Sequence, residues 1–134
     1  MNEHSYIRKI HSLLPRAVYR WKVHDVITNG IPDCYYDSIH GRNLWVEYKW
    51  RPTLPKKPDT VIVPELSALQ RAWLGERFDR GFDVRVIVGT PQGGIIYHDP
   101  DEWIDGITTE HAKKRILLDK DIAAFIEDFL SRPA

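Results

Sequence analysis

Residues 30–50 read GIPDCYYDSIHGRNLWVEYKW. Two β-rich segments within them, Cys34–Ile39 and Leu44–Trp50, flank a turn and predict a β-hairpin. Because successive side chains of a strand point to opposite faces, Glu47 and Lys49 share one face of the second strand. The hairpin is therefore expected to hold a carboxylate and an amine side by side.

The acidic residue that precedes this hairpin, Asp33, is expected to face Glu47 and Lys49 across the two strands. Hard divalent cations such as Mg²⁺ are bound by one or two carboxylates together with waters and substrate phosphates. A nearby lysine supplies positive charge or orients the water that attacks phosphorus. The three side chains therefore indicate metal-dependent phosphodiester cleavage, with Mg²⁺ or Mn²⁺ as the cofactor.

The composition favours one folded unit. The chain has 134 residues, of which 43% are hydrophobic and 28% charged, so we expect a single globular domain over residues 1–134. The one cysteine, Cys34, can form no internal disulfide.

We find no signal-peptide pattern and no apolar run near about 18 residues, so we expect a cytoplasmic protein that does not enter a membrane. A net charge of zero argues against coating nucleic acid by charge alone.

The segments around the hairpin predict an alternation of helices and strands. They are a helix over Glu3–Leu14, strands over Val18–Val26, Val84–Val88 and Ile95–Tyr97, a proline-rich loop over Pro52–Pro64, a helix from Ser67 to about Arg80, and an acidic, helical tail over about residues 99–134. In the second helix we expect Leu66, Leu69, Trp73 and Phe78 on the buried side, and we expect Asp119 to cap the last helix. Because a crossover helix makes the strands that it joins parallel, this order predicts an α/β fold with a mixed central β-sheet flanked by helices.

The hairpin motif resembles that of a known superfamily of nucleases. Gly30-x-Pro32-Asp33 followed by Glu47-x-Lys49 is similar to the motif of the PD-(D/E)xK nucleases. The downstream residues resemble the VRR-NUC branch, the virus-type replication-repair nucleases, in Leu66-Ser67-x-x-Gln70-x-x-Trp73-Leu74 and Gly81-x-x-Val84-x-Val86. The match covers about residues 30–88, and the tail after Asp99 matches no pattern that we recognise. The resemblance implies a restriction-endonuclease-like fold.

The resemblance also implies a role for each residue of the motif. Asp33 and Glu47 match the carboxylates that bind the metal ion, and the backbone carbonyl of Tyr48 would be a further ligand. Lys49 matches the lysine that positions the attacking water and stabilises the charge that develops on the phosphate.

Residues outside the motif complete the expected site. Gln70 matches the helix glutamine that faces the site in this branch, and Glu3 would match the first-helix acid that completes the metal shell. Arg51, Lys56 and Lys57 lead from the second strand of the hairpin into the proline-rich loop. We therefore expect these three cations to contact the DNA backbone.

The implied activity is hydrolysis of DNA phosphodiester bonds by a metal-activated water, leaving a 5′-phosphate and a 3′-hydroxyl. Small, free-standing VRR-NUC proteins resemble junction-cleaving enzymes that act as homodimers. A two-fold dimer would place two sites on opposite strands of a branched molecule. The leading hypothesis is therefore a structure-selective endonuclease of the Holliday-junction-resolving kind, with branched or duplex DNA as its partner, in a bacterial or phage-infected cell.

Two alternatives stay open at this stage. A sequence-specific enzyme, such as a homing or restriction-like endonuclease, would need base-reading elements, which the loop over Pro52–Pro64 or the tail could supply. A non-catalytic nucleic-acid-binding module would keep the fold without the chemistry. The intact set of Asp33, Glu47 and Lys49 argues against that last alternative.

Overall fold

The computed structural model describes residues 1–23 and 30–133. Its elements are, in chain order, α1 (Glu3–Leu13), β1 (Tyr19–Lys22), β2 (Cys34–Asp37), β3 (Asn43–Trp50), β4 (Val61–Ile62), α2 (Ala68–Asp79), β5 (Val84–Thr90), β6 (Gly93–Tyr97), α3 (Pro100–Asp105), β7 (Ile107–Thr108), α4 (Thr109–Arg115) and α5 (Asp119–Ser131). Residues 24–26 of the expected first strand lie outside the described residues. None of the helices in these two ranges is long and apolar enough to cross a membrane.

Five of the strands form one sheet in the order β1-β2-β3-β5-β6. β3 runs parallel to β5, and the other neighbouring strands are antiparallel. The helix α2 lies between β3 and β5 in the chain and is the expected crossover. The predicted mixed sheet flanked by helices is therefore confirmed. β4 and β7 pair with each other in a separate two-stranded sheet.

One face of the sheet is covered by the first and the last helix. Tyr6 and Ile10 of α1 and Ile122 and Ile126 of α5 share a buried cluster with Tyr48 of β3. Even-numbered residues of β3 point to this side because side chains alternate along a strand. Since α5 belongs to the acidic tail, the tail completes the core of the molecule.

The opposite face of the sheet carries α2 and α3. Leu74 of α2 and Trp103 of α3 are buried in a second cluster with Val84 and Val86 of β5. Odd-numbered residues of β3 point to this side, and Glu47 is one of them. The helix α2 and the hairpin acid therefore lie on the same face of the sheet.

The buried side of α2 differs from the expectation. Leu74 is buried in the helix and Leu66 just before it, whereas Leu69 is 54% exposed and Trp73 is half-buried. The helix packs on β5 through Leu74, and Trp73 contacts Trp45 of β3, with 5.4 Å between the ring centroids. The expectation was wrong for Leu69 and for Phe78, which is 36% exposed, because helical spacing alone does not tell which apolar stripe meets the sheet.

The start of α5 also differs from the expectation by one residue. Leu118 occupies the cap position and makes no side-chain cap bond, and Asp119 is the first helical residue. Asp119 instead pairs with Lys9 of α1, with 2.9 Å between Oδ2 and Nζ. An acid in the first turn still interacts favourably with the helix dipole, so the pair joins the two helices that cover this face.

Candidate metal centre

Three carboxylates from separate parts of the fold converge beside β3. Glu3 lies in the first turn of α1, Asp33 directly precedes β2, and Glu47 lies within β3. One carboxylate oxygen of each residue lies within 4.8 Å of the other two. The structure therefore brings together the two acids expected at the hairpin and the acid expected on the first helix.

The carboxylate of Asp33 is oriented by the backbone of the neighbouring strand. The ladder between β2 and β3 ends at the pair Cys34 and Val46, so the backbone N–H of Tyr48 lies beyond it. That N–H donates a hydrogen bond to Asp33 Oδ2 at 2.9 Å. The side chain thus takes the place of a strand partner, which keeps it next to Glu47.

Glu47 is almost completely buried, with 1% of its surface exposed. Its Oε2 accepts a hydrogen bond from Gln70 Nε2 at 3.1 Å and pairs with Lys49 Nζ at 3.3 Å. Its Oε1 is buried and has no hydrogen-bond partner among the described residues. A buried carboxylate oxygen without a partner is costly, so Oε1 is an acceptor that a cation would satisfy.

Burial, together with the clustering of like charges, raises the pKa values of two of the acids. Burial, and then the nearby Asp33 carboxylate, raises the pKa of Glu47 to about 8, although Lys49 opposes the shift. Burial and Asp33 likewise raise the pKa of Glu3 to about 7. Because ionising all three acids together is unfavourable, and because hard divalent cations prefer oxygen ligands, the cluster fits Mg²⁺ or Mn²⁺.

Gln70 serves both the helix and the cluster. Its Oε1 accepts the backbone N–H of Ser67 at 2.9 Å, and Ser67 Oγ accepts the backbone N–H of Gln70 at 3.1 Å, which together form a capping box. Since Oε1 is used in the cap, the amide Nε2 is the group that faces Glu47. The start of α2 therefore holds Oε2 of Glu47 and leaves Oε1 without a hydrogen-bond partner among the described residues.

Gly30 allows the chain before Asp33 to pass very close to α2. Its φ is +93°, and a Cβ at this position would lie 2.5 Å from the carbonyl oxygen of Leu69. Glycine adopts such a φ without steric cost and has no Cβ to collide with the helix. The glycine of the motif thus explains how the loop that carries Asp33 and the helix that carries Gln70 meet.

Two polar residues near Glu3 were not predicted from the sequence. Lys22 of β1 places its Nζ against Nδ1 of His4. Its positive charge lowers the pKa of Glu3, against the larger opposing effects of burial and Asp33. The motif contains no sign of either residue, because β1 and α1 meet only in the folded sheet. The one available signal was the alternation of side chains along β1. Trp21 is exposed on one side of the strand, so its neighbour Lys22 points to the other side, toward α1.

A cleft of about 650 Å³ opens beside Glu3, whereas Asp33 and Glu47 are not among the residues that line it. Glu3, Lys49 and Arg51 line the cleft together with the loop that follows β3. Lys56 and Lys57 are exposed further along that loop and are not among the residues that line the cleft. The structure therefore brings Arg51 into the same cleft as Glu3 and Lys49 and leaves Lys56 and Lys57 outside it.

The fold resembles that of a protein of known structure. The structure of Archaeoglobus fulgidus Hjc, described as a Holliday junction resolvase from an archaeal hyperthermophile, superposes with a TM-score of 0.54 at 16% sequence identity. The match covers 92% of this chain and 97% of the archaeal chain, so it includes most of the tail as well as the hairpin. No protein-family model matches the sequence, and no curated protein matches it either.

Proposed function

We propose that this chain is a metal-dependent DNA endonuclease of the PD-(D/E)xK type, in the VRR-NUC branch, and that it cuts branched DNA. The observation that carries the proposal is the buried Glu47 oxygen that has no partner within residues 1–23 and 30–133, in a cluster of three acids beside Lys49. The fold supports the proposal, because the similar archaeal protein is described as a Holliday junction resolvase. Residues 1–134 would act as one nuclease domain, since α1 and α5 share one buried cluster.

Four groups of the chain would hold the metal ion. They are the carboxylates of Asp33, Glu47 and Glu3 and the backbone carbonyl of Tyr48. The N–H and C=O of one strand residue point to the same side, and the N–H of Tyr48 bonds to Asp33, which supports a carbonyl directed toward the acids. Mg²⁺ or Mn²⁺ bound there supplies Lewis acidity, which lowers the pKa of the attacking water and offsets charge on the phosphate.

Lys49 would act on the reacting groups directly. Its ammonium lies 3.3 Å from Glu47 Oε2, and 21% of its side chain is exposed at the cleft. From this position it can orient the attacking water and stabilise the negative charge that develops in the transition state. Gln70 would act through Glu47, because its hydrogen bond holds the carboxylate in one orientation.

The DNA would enter along the cleft beside Lys49 and Arg51. With a net charge of zero, binding must rest on a local set of cations, of which Arg51 is nearest and Lys56 and Lys57 lie further along the loop. A homodimer would present two such sites to two strands, which is the arrangement that paired cuts in a branched molecule require. We therefore favour a structure-selective enzyme over a sequence-specific one.

The test compares cleavage of a labelled four-way junction with cleavage of linear duplexes that carry the same arm sequences. Wild type is assayed with Mg²⁺, with Mn²⁺ and with a chelator, next to Lys49→Ala. The matched control is Lys114→Ala, because Lys114 is an exposed lysine on α4. We expect metal-dependent cutting of the junction by wild type and the control, and a loss of about 100-fold or more in Lys49→Ala, which should still bind the junction.

Other outcomes would favour the alternatives. Cutting of a linear duplex at one sequence, irrespective of branching, would contradict structure selectivity and indicate a restriction-like enzyme. Equal junction binding by wild type and Lys49→Ala, without cutting in either metal, would indicate a non-catalytic module.

A further inference from the structure

A pocket of about 500 Å³, separate from the cleft, opens between the start of α1, the turn that joins β5 to β6, and the start of α5. We call it the helix pocket. The side chains that the argument uses are those of Tyr6, Lys9, Trp50 and Asp119. Trp50 lines the cleft as well, so the helix pocket and the cleft are neighbours on the two sides of this residue.

Tyr6 brings a polar group without a partner to the helix pocket. The residue is 1% exposed, and its hydroxyl has no hydrogen-bond partner among the described residues. Its position is fixed by two glycines of the sheet: a Cβ at Gly89 would lie 2.7 Å from the ring, and a Cβ at Gly94 would lie 2.5 Å from the hydroxyl oxygen. A buried hydroxyl without a partner is costly, so this group is one that a ligand would satisfy.

Asp119 and Lys9 determine which charge a ligand of the helix pocket can carry. Burial, and then the negative charge of Asp119, raises the pKa of Tyr6, so the carboxylate acts on the hydroxyl across the pocket. Asp119 also pairs with Lys9, with 2.9 Å between Oδ2 and Nζ. Because the two charges offset each other, the pair favours a neutral ligand. A ligand N–H group between the hydroxyl and the carboxylate would find an acceptor on each.

A nucleobase with an exocyclic amino group has these properties. The volume of the helix pocket lies in the range of small-molecule sites, about 300–1,000 Å³. The ring centroids of Trp50 and Tyr6 lie 5.6 Å apart, and aromatic side chains stack on bases of any sequence. Adenine, cytosine and guanine carry an exocyclic amino group, whereas thymine carries a carbonyl and a methyl group instead.

We propose that the helix pocket receives an unpaired base with an exocyclic amino group, from the DNA strand that lies in the cleft. The amino group donates to the Tyr6 hydroxyl oxygen and to the Asp119 carboxylate, and the ring packs against Trp50. A base must leave its stack to enter, which costs least where its pairing is already broken. The helix pocket therefore favours branched DNA over a continuous duplex. The inference rests on the proposed function for the strand in the cleft, although base binding itself needs neither metal nor cleavage.

The test is a titration of protein into a single-stranded thymine oligonucleotide that carries one 2-aminopurine, a fluorescent base with an amino group. A chelator and low salt are present throughout. We expect wild type to quench the fluorescence, because the base packs against Trp50. We expect Tyr6→Phe to bind at least about threefold more weakly, since it removes one acceptor. The matched control is Tyr19→Phe, which removes the hydroxyl of an exposed tyrosine on β1 and should bind as wild type does.

Two further measurements exclude a purely structural effect of Tyr6→Phe. The variant loses a hydroxyl that has no partner, so it should melt no lower than wild type, as checked by circular dichroism. Unlabelled oligonucleotides with one adenine, cytosine or guanine among thymines should displace the 2-aminopurine at concentrations about tenfold lower than an all-thymine oligonucleotide does. The reason is that thymine offers no amino group to Asp119.

Three results would overturn the helix pocket as a base site. They are a lack of quenching by wild type, equal binding by wild type and Tyr6→Phe, and equal displacement by the all-thymine oligonucleotide. A protein that cuts a four-way junction without quenching 2-aminopurine would keep the proposed function and lose this inference. Quenching that depends on Tyr6, without cutting in either metal, would keep the base site and contradict the nuclease.

Discussion

Among the three acids of the candidate metal centre, Glu47 has the environment that raises its pKa to the highest value, about 8. It is buried, it lies close to two other acids, and one of its oxygens has no partner among the described residues. Lys49 and Gln70 satisfy only the other oxygen. If Glu47 had a purely structural role, an apolar residue at this position would make the protein more stable. The buried carboxylate is therefore best explained by a cation that the three acids share.

We expect Glu47→Gln to stabilise the metal-free protein and to remove its response to metal. Burial raises the pKa of Glu47 to about 8, so the folded state retains a proton that the unfolded chain loses near pH 4.5, and stability falls as pH rises between those values. The amide cannot ionise, so at pH 8 with a chelator the variant should melt roughly 5 °C or more above wild type. Thermal melts with and without Mg²⁺ measure both effects.

The control for this prediction is Glu65→Gln, because Glu65 lines the same cleft but is exposed. It should behave as wild type does, gaining stability when Mg²⁺ is added. If Mg²⁺ raised the melting temperature of Glu47→Gln as much as that of wild type, the metal would have to bind elsewhere.

His11 supports the strand behind the candidate metal centre. Its Nε2 lies 2.8 Å from the hydroxyl of Tyr36, which lies 2.7 Å from the hydroxyl of Tyr48. Burial, and then the positive charges of Arg20 and Lys22, lowers the pKa of His11 to about 4. The chain of three side chains therefore needs a neutral imidazole.

We expect His11 to contribute a loss of stability as pH decreases from about 6.5 to 4, opposite in sign to the contribution of Glu47, and His11→Gln to remove it. In this window the unfolded chain binds a proton at His11 that the folded chain does not bind, so this contribution to stability rises with pH. Urea unfolding at several pH values measures the difference in slope between wild type and variant. The control His40→Gln changes an exposed histidine and should keep the wild-type slope; an unchanged slope in His11→Gln would show that His11 does not contribute.

At the scale of elements, the candidate site depends on where α2 meets the hairpin. The helix supplies Gln70 through its cap, and the loop before β2 supplies Asp33, with Gly30 between them against the Leu69 carbonyl. Glu47 lies on β3, the middle strand of the sheet, which has β2 on one side and β5 on the other. A small shift of α2 relative to β2 would therefore separate these groups.

We expect Gly30→Ala to damage both stability and cleavage. The new Cβ would lie 2.5 Å from the Leu69 carbonyl oxygen at a φ of +93°, so the loop and α2 must move apart, at a cost of about 3 kcal/mol or more. Gly41→Ala is a matched control, because its φ is +83° but no atom lies within 4 Å of the new Cβ. The control should lose about 1 kcal/mol from backbone strain alone and keep its cleavage rate.

Urea unfolding and single-turnover cleavage measure the two effects of the glycine substitutions. If Gly30→Ala and Gly41→Ala lost equal stability, the contact with α2 would contribute nothing, and the positive φ alone would explain the glycine.

Local rules made part of the fold predictable from the sequence. The hairpin follows from strand alternation, and Ser67 with Gln70 forms a capping box that is visible in the sequence. The approach of Asp33 to Glu47 was expected from the hairpin itself, whereas that of Gln70 was expected only through the resemblance to nucleases. The exposure of Leu69 was not predictable, because tertiary packing on β5 decides which side of α2 is buried.

At the scale of the whole molecule, the C-terminal third helps to build the cleft. The backbone N–H and the hydroxyl of Thr109 both donate to the carbonyl of Thr60, at 2.8 and 2.7 Å. The hydroxyl of Tyr97 donates to the carbonyl of Ile62, which lines the cleft. The proline-rich loop is therefore anchored by distant segments, which composition alone cannot indicate, because each bond joins residues at least 35 positions apart.

This anchoring leads to a prediction for Thr109→Val. The hydroxyl of Thr109 is completely buried, and its loss leaves the Thr60 carbonyl with the backbone bond alone, so we expect a loss of about 1–2 kcal/mol in the free energy of unfolding. If the anchored loop shapes the cleft without touching the reacting groups, KM for a four-way junction should rise while kcat stays near wild type. Urea unfolding and steady-state cleavage measure both quantities. Thr109→Ser keeps the hydroxyl and serves as the control; a fall in kcat at unchanged KM would instead connect this anchor to the carboxylates themselves.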